Sequence, residues 1–226
     1  MKNFTINGGD SWYTNPKTNN RQVGTFLTKK VQAYYHDDYH GGDQELRDTA
    51  GTVENIITTL KNQFKDRSTD NLLMAAKFMI RILNADLPQI LRMTEKCEFV
   101  VCAIPRSKAE NTYINEQLLF KKAIQASVKN LNSFIDGTNY IVRHTDTRTT
   151  HMDKSGYGGV GNLPYPGITK DTCTISDKVR GKDILLIDDL YTASVNIDED
   201  AIQALFDNGA RSVIFYSLGK TIKRTQ

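Results

Sequence analysis

Two adjacent acids, Asp188 and Asp189, carry the strongest chemical signal in the sequence, because they directly follow the apolar residues 184–187. Such a run is typical of a strand buried in a parallel sheet, where charged groups are unfavourable unless a partner compensates them. The carboxylates of Asp188 and Asp189 could accept hydrogen bonds from sugar hydroxyls or hold a magnesium ion through water. The alternative is a strand-end turn in which Asp189 or Ser194 only caps the next helix.

A loop with hydroxyl side chains follows the two acids and leads into a predicted helix at residues 198–208. The start of a helix presents unpaired backbone amides and a partial positive charge, which suit a phosphate group. The pattern therefore predicts that a phosphorylated sugar binds where this strand ends.

A second apolar run, residues 98–104, is followed by a proline and then by Arg106, Ser107 and Lys108. These three side chains offer a guanidinium fork, a hydroxyl and an ammonium group to a multiply charged anion. A solvated basic turn is the alternative interpretation of this loop. Because ligands of open parallel sheets bind beyond the carboxyl ends of the strands, the two loops are predicted to form one site.

The elements that must position these loops lie in residues 96–226, which alternate predicted strands and helices. Strands are predicted at residues 98–104, 139–143, 183–188 and 212–218, and helices at residues 115–131 and 198–208. Such an alternation requires crossover connections, which place parallel strands side by side with helices on the faces. The predicted fold class is α/β, with a Rossmann-like parallel sheet flanked by helices.

Residues 1–95 are predicted to form a hood and helical accessory region beside that core. The Asn-Gly-Gly turn signal at residues 7–9 favours a small hairpin between residues 4–6 and 11–13. The β-branched and aromatic residues of 23–35 favour a further strand.

Two helices are predicted in the same region, because apolar residues recur at helical spacing in residues 52–65 and 72–83. Asp70 is expected to cap the second helix, since its carboxylate can accept from amides of the first turn. Pro88 allows only a kink or the start of a new helix.

Residues 184–192, the helix after them and residues 208–214 resemble the phosphoribosyl-diphosphate signature of type I phosphoribosyltransferases. The resemblance is greatest to the branch that contains competence-protein-F-like proteins, and it extends over residues 96–220. It implies the type I phosphoribosyltransferase fold for the core and Mg²⁺ as the cofactor. It also implies that Asp188 and Asp189 are the catalytic acids, which hold the ribose hydroxyls and the metal ion.

The resemblance further implies substrate-binding roles for the two loops. The loop after the paired acids would wrap the 5-phosphate with Tyr191, Thr192, Ala193, Ser194, Val195 and Asn196. The loop after the first apolar strand would bind pyrophosphate through Arg106, Ser107 and Lys108.

A third loop begins at Arg143 and resembles the flexible loop that closes over the reacting centre in this family. Arg143 and Arg148 are candidates to neutralise the leaving pyrophosphate, with Arg148 as a catalytic group, and Lys154 is a weaker candidate. Movement of this loop would be permitted by glycines at positions 156, 158, 159 and 161. A polar surface excursion is the alternative interpretation.

The reaction that the resemblance implies is displacement at the ribose anomeric carbon of phosphoribosyl diphosphate, which transfers the phosphoribosyl group to an acceptor that the sequence does not identify and releases pyrophosphate. A second hypothesis is a non-catalytic sensor of phosphoribosyl diphosphate or a nucleotide, because Ser194 and Asn196 replace the usual glycine and final threonine of the family loop. A third is an effector of a toxin or phage-defence module, held by a protein or nucleic-acid partner. A homo-oligomer is compatible with each of these three hypotheses.

Composition excludes several other classes. With 39% hydrophobic and 24% charged residues, the 226-residue chain has the balance of a globular protein. No apolar run approaches a membrane span and the polar start lacks a signal peptide's apolar core, so no membrane partner and a cytoplasmic location are predicted. The net charge of +3 is too small to argue for nucleic-acid binding, and three cysteines without a CxxC pair disfavour a disulfide framework or structural zinc.

The histidines give no stronger candidate. His36 and His40 are metal-ligand types, but neighbouring glycines and aspartates argue against a helix there, and no third ligand is evident. His144 and His151 could act as acid or base groups, although polar positions in the third loop suit them better.

Overall fold

The computed structural model describes residues 1–14, 20–147, 167–193 and 195–222 of the chain. Its N-terminal elements are, in order, β1 (Lys2–Ile6), β2 (Gly9–Thr14), β3 (Arg21–Leu27), β4 (Val31–Tyr39), α1 (Gln44–Asp48), α2 (Val53–Lys61) and α3 (Thr69–Met93). There follow β5 (Phe99–Ala103), α4 (Leu119–Lys129), β6 (Phe134–Asp136), β7 (Ile141–Arg143), β8 (Cys173–Ile175), β9 (Asp183–Tyr191), α5 (Ile197–Asp207) and β10 (Ser212–Thr221).

A six-stranded sheet in the order β1-β4-β10-β9-β5-β6 forms the centre of the molecule. Strand β1 runs antiparallel to β4, and the other neighbours are parallel to one another. Parallel neighbours place the carboxyl ends of β4, β10, β9, β5 and β6 at one edge, which we call the carboxyl edge of the sheet. The predicted α/β class, with a mostly parallel sheet flanked by helices, is confirmed.

Both faces of the sheet are buried, which explains the continuous apolar runs of β5 and β9. Leu185 and Ile187 of β9 pack in the cluster that α2, α3 and α4 cover. Ile184 and Leu186 point to the opposite face and pack in the cluster that contains α5. This alternation decides which helix each later side chain of β9 meets.

The N-terminal residues take part in the central sheet as well as in the layer beside it. Strand β4 pairs in parallel with β10, and β1 extends the sheet at its outer edge. The hydrogen-bonded sheet therefore crosses the division predicted near residue 95. Helices α2 and α3 cover one of its faces, while β2 and β3 form a separate two-stranded ribbon.

The hairpin predicted between residues 4–6 and 11–13 is wrong, because β1 pairs with β4 and β2 pairs with β3. Gly8 explains the difference. A Cβ atom added there would lie 2.5 Å from the backbone nitrogen of Lys29, so the chain passes closely beside another segment. The glycines thus permit a crossing between two sheets and do not form a two-residue turn.

Helix α3 continues through Pro88, so no new helix begins there. The lost backbone hydrogen bond costs about 3 kcal/mol in a helix interior. Burial of Leu83, Leu87 and Ile90 against the sheet offsets that cost. The helix is capped by Ser68, whose hydroxyl accepts from the Asn71 amide at 3.3 Å, and the predicted cap at Asp70 is wrong.

No helix in the described part of the chain combines the length and apolarity that crossing a lipid bilayer requires.

Candidate functional site

The two acids of the sequence motif lie near the end of β9, at the carboxyl edge, and their side chains have different neighbours. Asp188 is directed to the α5 face, where the side chain of Asp198 is its hydrogen-bonding neighbour. Asp189 meets the α2 side, where its Oδ2 lies 3.1 Å from Lys61 Nζ. The paired acids are therefore divided between the two faces of the sheet, as expected for successive residues of a strand.

Asp198, which is buried, and Asp188, which is half-buried, form an acid pair. Burial raises the pKa of Asp188 to about 7, and the nearby charge of Asp189 adds to the effect. Burial also raises the pKa of Asp198 well above its usual value, with the Asp188 charge as the next cause. The hydrogen bond between the two side chains lowers the pKa of Asp188 and raises that of Asp198, so Asp198 is the member of the pair that donates.

The surroundings of this pair retain unused hydrogen-bonding capacity. Among the described residues, Asp198 Oδ1 and Ser217 Oγ are buried without a hydrogen-bond partner. Ser217 stands directly beside Asp188 in the neighbouring strand β10. Each unsatisfied buried polar atom lowers the free energy of unfolding by about 1–3 kcal/mol, so this part of the structure destabilises the fold.

Substitution of Asp188 by asparagine is expected to stabilise the protein at about pH 8 by about 2 kcal/mol, because the amide removes a buried negative charge. The pKa of Asp188 is raised in the folded state, so wild-type stability falls as pH rises from the unfolded value of about 4 towards 7. Urea denaturation should show the two curves converging near pH 4. Parallel pH dependences for wild type and variant would contradict the acid pair.

The loop after β5 lies beside the paired acids. The Ile104 amide donates to the Ile187 carbonyl at 3.0 Å, directly before Asp188. Within this loop, one Arg106 Nη donates to the Gln117 carbonyl at 2.8 Å, and Lys108 Nζ donates to the Thr147 carbonyl at 3.0 Å. The structure thus brings the first two predicted loops to adjacent strand ends, with both cationic groups bound to carbonyl oxygens.

The cleft beside Arg106 and Lys108 has a volume of about 40 Å³. About 10–15 Å³ of such space suffices for one water molecule, so the cleft as it stands holds a few waters. The carbonyl of Ser107, in the same loop, accepts from both the amide and the hydroxyl of Thr147. Pyrophosphate could enter this loop only if its contacts with Thr147 opened.

Arg143 lies behind the β5 loop and is only 2% exposed. Its Nε donates to the Arg106 carbonyl at 2.7 Å and one Nη donates to the Gly167 carbonyl at 3.1 Å. Burial lowers the pKa of its guanidinium, although nearby acidic groups oppose that effect. In this arrangement Arg143 holds the backbone of the β5 loop in place.

The loop after β9 directs several of its predicted ligand-binding groups inward. The Tyr191 hydroxyl donates to Glu199 at 2.8 Å, and the hydroxyl of Thr192 shares a hydrogen bond of 2.8 Å with that of Thr221. The Val195 amide donates to the Thr192 carbonyl at 3.0 Å, which closes a turn. The Ala193 side chain is exposed.

Asn196 occupies the N-cap position of α5 with a left-handed φ of 61° and makes no side-chain cap hydrogen bond. Its amide oxygen instead accepts from the Ser11 hydroxyl at 2.9 Å, which connects the loop to β2. Asp189 does not cap the helix either, since its carboxylate pairs with Lys61. Neither Asn196 nor Asp189 therefore caps α5, while Ser194, the other cap of the alternative interpretation, lies outside the described residues.

Three acids in the first turn of α5, Asp198, Glu199 and Asp200, are functional candidates that the sequence reasoning missed. The Asp200 carboxylate accepts from the Ile168 amide at 2.6 Å, and Glu199 accepts from Tyr191. Acids complement the positive end of a helix, so this helix already has negative groups where a phosphate was predicted. Their position directly after a helix start was the available sequence signal.

Lys61 was also missed, and no local pattern could have identified it. It is the last residue of α2, and the next residue, Asn62, adopts a left-handed φ of 38° that ends the helix. The link to Asp189 depends wholly on the packing of α2 against the sheet. The site therefore contains a cation supplied by the N-terminal part of the chain.

The acids do not fit a magnesium ion held jointly by Asp188 and Asp189. Their side chains have partners on opposite faces of the sheet, and Lys61 Nζ already lies 3.1 Å from Asp189 Oδ2. Among the described residues no group of three or more acidic, histidine or cysteine side chains is arranged to hold a metal ion. The two histidines that the sequence analysis set aside have other partners, since His36 Nδ1 pairs with Asp86 at 2.9 Å and the backbone amide of His40 donates to Glu54.

Several predicted residues lie outside the described part of the chain. They are Arg148, His151, Lys154, the glycines at positions 156, 158, 159 and 161, and Ser194. Their proposed roles in the third loop and in the phosphate loop stay predictions.

A larger pocket of about 500 Å³ lies between β1, the β2–β3 ribbon and the start of α5. Its wall combines aromatic and polar groups, among them Phe4, Phe26, Tyr191, Asn196 and Lys220. The pocket adjoins the phosphate-loop residues from the side of the ribbon. The N-terminal strands therefore do contact the predicted site, as a hood would.

Comparison with known proteins gives no assignment, because the sequence matches no protein-family model and none of the curated proteins.

Proposed function

We propose that the chain is a phosphoribosyltransferase-like protein of the type I fold, which binds phosphoribosyl diphosphate or a nucleotide at the carboxyl edge of β5 and β9. The observation that carries the proposal is the group formed by Asp188, Asp189 and Asp198 at that edge. An acid pair on one face of this strand end and a third acid on the other, with unsatisfied atoms beside the pair, are costly to the fold. Ribose hydroxyls would supply the missing donors.

Two further features support a phosphorylated ligand. The loop after β5 joins β9 directly before Asp188 and carries Arg106 and Lys108, which suit a diphosphate once their carbonyl contacts open. The N-cap side chain of α5, Asn196, makes no hydrogen bond to the first turn of the helix, as a helix start that binds a phosphate requires. A cytoplasmic location, where such ligands are made, is part of the same proposal.

The proposed reaction transfers the phosphoribosyl group. The bond between the anomeric carbon and the pyrophosphate oxygen breaks, and a bond from the acceptor to that carbon forms. The acids would hold the ribose, while Arg106 and Lys108 would stabilise the negative charge on the departing pyrophosphate. Positioning and electrostatic stabilisation of this kind account for most of the catalysis that such a displacement needs.

A non-catalytic sensor is the second candidate, and the first turn of α5 favours it. Glu199 is 7% exposed and Asp200 is bound to a backbone amide, so carboxylate charge lies beside the predicted phosphate position. Such charge weakens phosphate binding and slows any step that gathers further negative charge. A ligand held mainly by its ribose would then be bound without being consumed.

The two candidates differ in a measurement on the purified protein. Thermal shift with phosphoribosyl diphosphate, AMP, GMP and pyrophosphate reports binding, and released pyrophosphate reports turnover in the presence of a panel of bases. Stabilisation together with pyrophosphate release supports the transferase. Stabilisation without release supports the sensor, and no stabilisation by any ligand in the panel contradicts both.

A further inference from the structure

Lys61 places an ammonium group beside the paired acids at the carboxyl edge. Its Nζ lies 3.1 Å from Asp189 Oδ2, and the two side chains are 33% and 20% exposed, so a ligand can reach both. Burial opposes the charge on Lys61, but Asp189 and Asp188 together overcome that effect and raise its pKa. The lysine is therefore charged when a ligand arrives.

The end of α2 fixes this lysine in relation to the β5 loop. The carbonyl of Asn62, the residue after Lys61, accepts from the side chain of Gln117 at 3.2 Å. The Gln117 carbonyl in turn accepts from Arg106, whose guanidinium also reaches Gln63 at 3.4 Å. One helix end thus positions an ammonium at β9 and supports a guanidinium at β5.

A divalent cation fits the same position poorly. The Asp188 carboxyl turns to the α5 face, and Asp189 already has a cation at hydrogen-bond distance. A magnesium ion would bring its own positive charge to within a few ångströms of Lys61 and would have to displace it from Asp189. An ammonium can bind a phosphate oxygen while it continues to neutralise the carboxylate.

From this geometry we infer that Lys61 takes the place of the divalent cation, so that phosphorylated ribose ligands bind at Asp189 without Mg²⁺. The inference rests on the proposed function, because it specifies how that site compensates the charge of its ligand. In this arrangement Asp189 accepts from a ribose hydroxyl and Lys61 donates to a phosphate oxygen.

Calorimetric titration with ribose 5-phosphate and with phosphoribosyl diphosphate tests the inference, in the presence of either Mg²⁺ or excess EDTA. Wild-type affinity is expected to differ by less than about threefold between the two conditions. Lys61→Met should weaken binding about thirtyfold in both, as loss of a charge-assisted hydrogen bond predicts. Lys61→Arg should restore most of the affinity, while Lys77→Met, at an exposed lysine of α3, should leave it unchanged.

The outcomes separate this inference from the proposed function. Wild-type binding that weakens more than about tenfold in EDTA would overturn the inference and leave the proposed function intact. Equal affinity of wild type and Lys61→Met would do the same. Absence of binding under every condition would overturn both.

A titration without ligand gives a second test. Titration with paramagnetic Mn²⁺ is expected to give the same result for wild type and Asp189→Asn, with no saturable site that depends on Asp189. A saturable Mn²⁺ site that disappears in Asp189→Asn would overturn the inference, because the acid would then hold a divalent cation in spite of Lys61.

Discussion

Replacement of both Asp188 and Asp189 by asparagine is expected to weaken binding of phosphoribosyl diphosphate by more than about a hundredfold. Each carboxylate that accepts from a ribose hydroxyl contributes about 1.5–3 kcal/mol, and a tenfold change in affinity corresponds to about 1.4 kcal/mol. The fold should persist, because the amides match the carboxylates in shape. The lost pair between Lys61 and Asp189 is partly exposed and of small energy.

Calorimetry on the double variant measures this loss, and a melting curve shows whether the fold is retained. Asp66→Asn provides a matched control, since this aspartate is exposed and lies outside the site. Unchanged affinity in a folded double variant would remove the paired acids from the binding site.

Replacement of Asp183 by alanine is expected to lower the free energy of unfolding by about 3 kcal/mol, the largest stability effect of a single polar residue in this account. Asp183 begins β9 and is 7% exposed. It accepts hydrogen bonds from Lys96, Arg211 and Ser212, which hold together the starts of β5, β9 and β10. Removal of the carboxylate leaves these donors without their acceptor.

The stability loss should depend on pH in a defined direction. The hydrogen bond from Arg211 holds the pKa of Asp183 well below its usual value, and this outweighs the effect of burial. An acid whose pKa is lowered by folding stabilises the protein at pH values above its unfolded pKa of about 3.9. That stabilisation is lost as the pH falls through the pKa of the folded state. In urea denaturation, the loss of unfolding free energy caused by Asp183→Ala should therefore be full at neutral pH and become smaller below about pH 4. A deficit that is constant with pH, or equal to that of the exposed control Asp177→Ala, would contradict the network.

Sequence alone predicts the centre of this fold well, because strands buried on both faces need continuous apolar runs. The runs at β5, β9 and β10 stand close to their predicted positions. The pairing of β1 with β4 could not be read in the same way. This pairing requires the chain to pass closely beside Lys29. The two glycines that permit the crossing look the same in the sequence as the glycines of a hairpin turn.

In the candidate site too, features that depend on neighbouring residues in the sequence could be predicted, and features that depend on tertiary packing could not. Asp188 and Asp189 follow directly from an apolar strand that ends in two acids. The direction of their side chains and the approach of Lys61 depend on the helices packed against each face, which no spacing in the sequence records. Arg143 was recognised by its charge, but its burial against the Arg106 carbonyl is a product of tertiary packing.

The position of the ribose in a crystal soaked with ribose 5-phosphate tests the central claim most directly. We expect ribose density at the carboxyl edge, with its hydroxyls within hydrogen-bond distance of the Asp188 or Asp189 carboxylate and its phosphate beside Lys61 or the start of α5. Density confined to the pocket beside Phe4 and Phe26, with the paired acids unchanged, would contradict it.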